Sequence, residues 1–304
     1  ESSEEREPLG ALELQVNPPE GKGLDVSIDA IELTYKFPHP QRHRYKLSQR
    51  SERSVKGDIT RAQTRIDFTL ASRPEEQTEE AEGATWRHLE VEFGGVRAQV
   101  GSGADDAFIG QSVLGQLESM LEGKKARVKK SDVGRTRDFA WLGDSNPQTL
   151  RARQILRDNL ALLSPRFPRQ VLKVGESWTY EVPFGGVADT ETSAPEVTGK
   201  VTVRNELVGA TTLDGVPVVV IVQQLRVSGQ GKKTPSVEKS DEKEGAPITF
   251  TVSGTGKGLA HFNQEIGILH RYDVMLDQKL EIEQTGKDPV EQNVRYELQT
   301  KLER

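Results

Sequence analysis

Ile266-Gly267-Ile268-Leu269-His270-Arg271-Tyr272-Asp273-Val274-Met275-Leu276 is the stretch whose reading decides the fold class. Ile266, Ile268, Tyr272, Val274 and Leu276 share one phase of a period-two pattern, with a glycine beside its start. A strand with one buried and one wet face, entered through a tight reversal, is the habit of antiparallel sheets. The same alternation recurs in Ile66, Phe68, Leu70; in Leu89, Val91, Phe93; in Ile248, Phe250, Val252; and in Val294, Tyr296, Leu298. Residues 216–227 are apolar on both faces over their first half, which predicts a central strand.

Upstream, Leu24, Val26, Ile28 and Ala30 share a face that Ile31, Leu33, Tyr35 and Phe37 continue one residue out of phase. A one-residue slip of this kind predicts a long strand carrying a bulge. A further short strand is expected at 12–16, before the turn-rich Asn17-Pro18-Pro19-Glu20-Gly21. Two amphipathic helices interrupt the strands. The first, over 108–122, places Val113, Leu114, Leu117, Met120 and Leu121 at helical spacing and ends before Gly123. The second opens at Ser145-Asn146-Pro147, a cap followed by proline, and stops at Ser164-Pro165. The acidic run 74–82 and the mixed-charge run 232–245 read as solvated loops, because neither can bury apolar surface.

The opening stretch also matches the chain to itself. Residues 123–141 align without gaps on 256–274, so that Asp132-Val133-Gly134 meets Glu265-Ile266-Gly267 and Phe139 meets Tyr272. Residues 83–96 fall on 215–228 at almost the same offset. Two matches at nearly one spacing lead us to expect an internal duplication. The fold class is therefore mainly β: two tandem, curved antiparallel β modules related by duplication, with two amphipathic helices. The expected division is 1–23, a tether and N-terminal strand; 24–144, a first β module with helix 108–122; 145–168, a junction helix and proline-rich turn; and 169–304, a second β module.

Bulk properties narrow the function. With 304 residues, two domains are the natural expectation. The 41 basic and 47 acidic side chains give a net charge of -6, so there is no overall positive field to collect nucleic acid. The absence of cysteine excludes thiol catalysis, thiolate metal sites and disulfides. No stretch approaches the roughly 18 apolar residues of a helical membrane span. The sequence begins Glu1-Ser2-Ser3-Glu4 without methionine, which we read as the remainder after a signal or anchor segment is removed, with a lipid anchor upstream of Glu1 in view.

Residues that carry chemistry are sparse. His39 and His43 are four apart, but Pro38 and Pro40 forbid the helix that would bring them together. His261 and His270 flank Gly267 and are expected to be a surface pair on a hairpin. Ser112 falls in a Gly-rich stretch one residue too long for a nucleophile elbow. Gly254-Thr255-Gly256-Lys257-Gly258 lacks both the serine or threonine and the helix of a phosphate loop, and predicts a glycine-permitted bend. No catalytic, cofactor or metal residues are assigned. Leu114, Leu117 and Leu121, on the inward face of the first helix, are the candidates for an apolar ligand groove.

Leu172-Lys173-Val174-Gly175-Glu176-Ser177-Trp178-Thr179-Tyr180, after the proline-rich Ser164-Pro165-Arg166-Phe167-Pro168, resembles a segment of uncharacterised exported bacterial proteins that are often lipid-anchored. The resemblance covers about the last two thirds of the chain and rests on structural motifs. It implies export, to the periplasm or an outer-membrane anchor, and brings no catalytic residues. The expected function is a non-enzymatic interaction or scaffold module of the cell envelope with a protein partner. The alternative is a carrier of a lipid or other apolar ligand in a β half-barrel groove. A continuous apolar cavity of several hundred Å³ would distinguish the carrier.

Overall fold

The computed structural model describes residues 10–19, 23–38, 42–55, 61–101, 118–119, 121–143, 164–185, 196–233 and 247–303. These contain β1 (His43–Val55), β2 (Arg61–Ala81), β3 (Ala84–Val100), β4 (Lys125–Ser131), β5 (Thr136–Leu142) and β6 (Ser177–Gly185). They continue with β7 (Glu196–Leu213), β8 (Val216–Lys233), β9 (Ile248–Asn263), β10 (Ile268–Gln284) and β11 (Val290–Glu303). All eleven lie in one open antiparallel sheet, ordered β5-β4-β3-β2-β1-β11-β10-β9-β8-β7-β6. Neighbours follow one another in sequence everywhere except at β1 and β11, which pair from Arg44 opposite Glu303 to Val55 opposite Gln292. The strands thus form two meanders, β1–β5 and β6–β11, zipped into a single sheet by that ladder.

Period two explains the inward face. Tyr45 and Leu47 on β1 stand beside Leu70 and Phe68 on β2. Tyr272, Val274 and Leu276 on β10 stand beside Ala260, Gly258 and Gly256 on β9. The sheet is strongly curved around this face. Lys130 of β4 lies 4.4 Å from the Tyr35 ring, and Tyr35 packs edge-on at 5.2 Å against Phe262 of β9. β4 and β9 are six strands apart, about 29 Å across a flat sheet at the usual spacing, so one tyrosine touches both only if the sheet wraps around it.

Glycine makes part of that bend. A Cβ on Gly256 would sit 2.6 Å from the Met275 carbonyl and 2.9 Å from Leu276 Cδ1, and one on Gly254 would sit 2.6 Å from the Asp277 carbonyl. The expected bend at 254–258 is therefore a run of inward glycines inside a regular ladder, without a bulge. β8 is an interior strand, as its apolar run predicts, and Val218 through Ile221 are buried on both faces.

Two segments expected as strands are not strands. Residues 24–37 are extended, but they run across the hollow and make only isolated bridges, Asp25 to Ala210 of β7 and Ile31 to Leu172, which precedes β6. Ile31, Leu33 and Tyr35 are buried in the core and Ile28 and Phe37 pack against it, whereas Val26 and Ala30 are exposed. Residues 12–16 lie on the convex face, where side chains take their backbone groups. Leu12 N–H donates to Glu297, Gln15 N–H donates to Asp273, and Arg271 and Gln299 donate to the Glu13 carbonyl. Alternating burial marks an extended chain and does not say whether another strand completes the ladder.

The acidic run 74–82 is also not a loop, since β2 continues to Ala81. Basic side chains of β4 and β5 pair three of its five glutamates: Arg127 binds Glu75, Lys129 and Arg137 bind Glu79, and Arg137 binds Glu82. Of the first predicted helix, residues 108–117 and 120 lie outside the described residues. Its end is helical, with Glu122 N–H donating to the Glu118 carbonyl at 2.8 Å, and Gly123 closes it with φ of 67°. The body of the junction helix, 145–163, and most of the run 232–245 lie outside the described residues. The two stretches matched by the repeat, β3-β4-β5 and β8-β9-β10, follow the same meander order. Any up-and-down sheet has that order, so it carries no weight for or against duplication.

Candidate functional site

The hollow of the sheet is filled by two apolar clusters that share Phe37, Tyr45 and Leu298. The larger lies under β6–β10 and includes the incoming Ile31, Leu33, Tyr35, Phe167 and Leu172. Its one polar line is fully paired: the Tyr272 hydroxyl donates to Gln223 Oε1 at 2.6 Å, and Gln223 Nε2 donates to Asn205 Oδ1 at 2.7 Å. The smaller cluster lies under β1–β4 and holds Leu47, Phe68, Leu89, Val91, Phe93 and Leu121.

A cavity of about 100 Å³ opens where the two clusters meet. Leu47, Leu70, Leu89, Val91 and Val128 form its apolar wall, and Tyr35 and Phe37 of the crossing segment form its aromatic side. The crossing segment is gripped by the two turns that the repeat aligned. Tyr35 N–H donates to the Asp132 carbonyl at 2.7 Å and Lys36 N–H to the Gly267 carbonyl at 3.1 Å. Gly134 and Gly267 both have positive φ, and a Cβ on either would lie under 3 Å from this segment. The Tyr35 hydroxyl donates to the Pro165 carbonyl at 3.1 Å, and its ring stacks on Phe167 at 5.0 Å.

Lys130, Thr300, His43 and Ser72 line the cavity, together with Thr136 and Ser164. Lys130 follows Ala126 and Val128 on the inward phase of β4. It donates one hydrogen bond to Ser164 Oγ at 2.6 Å and lies over the Tyr35 ring. Burial alone pushes its ammonium down to about 8, with no acid acting on it among the described residues. Thr300, 5% exposed, and His43 also line the cavity, and Thr300 Oγ1 and His43 Nε2 have no hydrogen-bond partner among the described residues. Desolvation holds the His43 imidazole below its usual value. Ser72 is held by a long hydrogen bond of 3.5 Å to the His43 carbonyl.

A second groove, about 770 Å³, is open and polar, lined by residues including Glu52, Arg226, Asp277, Lys279 and Arg295. Its charges largely pair with one another or with nearby acids, Arg295 with Asp277 at 2.7 Å and Lys279 with Glu291 at 3.0 Å. On the convex face His261 and His270 are both buried, contrary to the surface pair expected for them. His261 stands opposite Arg271 in the β9–β10 ladder, and Arg271 binds the buried Asp273 at 2.7 Å. His270 reaches Asp214 at 3.5 Å. Among the described residues no three histidine, aspartate or glutamate side chains gather at metal-binding distance.

Of the candidate groove residues, Leu121 is 2% exposed and packs in the smaller cluster without lining the cavity. Leu114 and Leu117 lie outside the described residues, as do His39 and Ser112. Sequence reasoning missed Tyr35, Lys130 and Thr300. A signal existed for Lys130, a cation at the inward phase of an alternating strand. Trp178, Tyr180 and Val182 do share a face as the alternation implies. Trp178 is half-buried, with Nε1 donating to the Arg166 carbonyl at 2.6 Å.

A scan against family models returns no match, and no curated protein is similar to the chain. Among the described residues no helix is long and apolar enough to cross a membrane.

Proposed function

We propose that the protein is a non-enzymatic binding module of the bacterial cell envelope that holds a single apolar chain in the hollow of its curved sheet. The observation that carries this reading is the apolar cavity beside Tyr35 and Phe37, walled by Leu47, Leu70, Leu89 and Val91 and lined by strands from both meanders. Polar atoms at Thr300 and His43 without partners among the described residues support it, since buried polar groups ordinarily find a bond from protein, water or ligand. The envelope assignment and the lipid anchor rest on the resemblance carried by Val174-Gly175-Glu176-Ser177-Trp178 and on the expected export.

The volume favours a second reading. About 100 Å³ is well short of the several hundred Å³ of a site for a whole lipid. An envelope interaction module with a protein partner would need no larger cavity, and duplication of one β unit would suit a scaffold.

Native mass spectrometry of gently purified protein separates the two. The binding reading expects a retained small molecule, and Val91→Trp, which fills the cavity, should lose it while leaving the melting curve cooperative. Protein that carries nothing and takes up no added long-chain probe would leave the interaction module as the function.

A further inference from the structure

The cavity has an apolar wall and one cation, and these lie at different depths. Leu47, Leu89, Val91 and Val128 are buried, whereas Lys130 is half-buried. We infer that the occupant is a single-chain fatty carboxylate, its alkyl chain against the leucine and valine wall and its carboxylate on the Lys130 ammonium. This rests on the binding reading above and specifies its ligand.

Several observations carry the inference. An ammonium removed from water is costly unless paired, and among the described residues Lys130 has only a serine hydroxyl and two aromatic rings, Tyr35 at 4.4 Å and Phe37 at 5.8 Å. An ammonium has three donors and Ser164 takes one of them, so two remain for an acceptor that the described residues do not provide. The neighbouring basic groups are already engaged: Lys129 with Glu79, Arg137 with Glu79 and Glu82, and Arg87 with the Phe37 carbonyl. Among the described residues, the cation on this strand without an acid partner thus stands at the cavity and not on the outer face. Thr300, with an unpaired hydroxyl inside the cavity, is a second donor for a ligand oxygen or an ordered water. The cavity is partly open, so a single chain need lie only partly inside it, whereas about 100 Å³ excludes a diacyl lipid.

The test compares ligands that share a chain and differ in their heads. Decanoate, decanol and decyltrimethylammonium, each below its micelle concentration, are titrated calorimetrically into the intact chain at pH 7. Decanoate should bind at least about tenfold tighter than decanol, the scale of a charge-assisted hydrogen bond, and the cationic amphiphile should bind weakest. Lys130→Met should retain decanol binding and lose the preference for the acid, whereas Lys130→Arg should keep it. Equal binding of decanoate and decanol by the native chain would overturn the inference while leaving the apolar-chain reading intact. If none of the three binds, that reading falls and the inference with it. If Lys130→Met weakens acid and alcohol equally, Lys130 only holds Tyr35 and Ser164 in place, and the inference is again overturned. The comparison of heads on the native chain decides even if the variant fails to fold.

Discussion

His261 shows what burial does to one titratable group. It is 2% exposed, its Nδ1 has no partner among the described residues, and Arg271 stands across the ladder. Burial first, and then the positive Arg271, push its imidazole down to about 4, against a smaller opposing pull from Asp273. The unfolded chain ionises the same group near 6.5. Between those values the unfolded state binds more protons, so this contribution to stability is complete above about pH 6.5 and is lost as pH falls toward 4. From pH 7 to pH 4, His261→Asn should lose about 2–3 kcal/mol less stability than the native chain, measured by urea unfolding at each pH. A variant as acid-sensitive as the native chain would place the sensitivity elsewhere. Neither this burial nor the cation at Lys130 follows from neighbours in sequence. Lys130 was legible as a polar residue on an inward phase, but its partners Tyr35 and Ser164 are distant in the chain.

At the scale of the element, β9 carries the curvature. Gly254, Gly256 and Gly258 occupy its inward positions, and the neighbouring β10 backbone comes close enough at Gly254 and Gly256 to exclude a Cβ. Gly256→Val should therefore destabilise by about 1–3 kcal/mol, the usual scale of overpacking. Lys257→Gln, one residue on and exposed, should stay within about 0.5 kcal/mol. Chemical denaturation of both variants checks this; equal effects would show that the glycines are incidental to the bend. The glycines were visible in the sequence, but their inward phase acquires meaning only beside Met275 and Leu276. The acidic run of β2 teaches the same point. Five glutamates read as a solvated loop until the sheet brings Arg127, Lys129 and Arg137 of β4 and β5 to Glu75, Glu79 and Glu82.

Across the whole molecule, the β1–β11 ladder unites two meanders that the sequence presents as separate modules. The crossing segment reinforces the union, because Asp132 of the first meander and Gly267 of the second bond to adjacent residues, Tyr35 and Lys36. Shared burial of this kind predicts one cooperative unfolding transition. Trp86 and Trp141 report on the first meander and Trp178 on the second. Single-tryptophan variants should melt at one temperature, and Arg295→Pro, which removes a backbone donor from interior strand β11, should lower all of them together. Separate transitions would mean that the two meanders are independent units after all.

The sequence by itself determined that this is a mainly β, antiparallel protein, and it located most of the strands and the glycine turns at Gly134 and Gly267. Side-chain alternation and turn chemistry are local, with periods of a few residues, so they survive without knowledge of the rest of the chain. Only the tertiary structure decided that residues 24–37 cross the hollow without joining the ladder, that β1 meets β11, and that Lys130 stands at an apolar cavity with no acid among the described residues to pair it. Alternation specifies which face of an extended segment is apolar. Which other segment supplies its hydrogen bonds, and which charge lacks a partner, depends on groups hundreds of residues apart that meet only when the sheet curves.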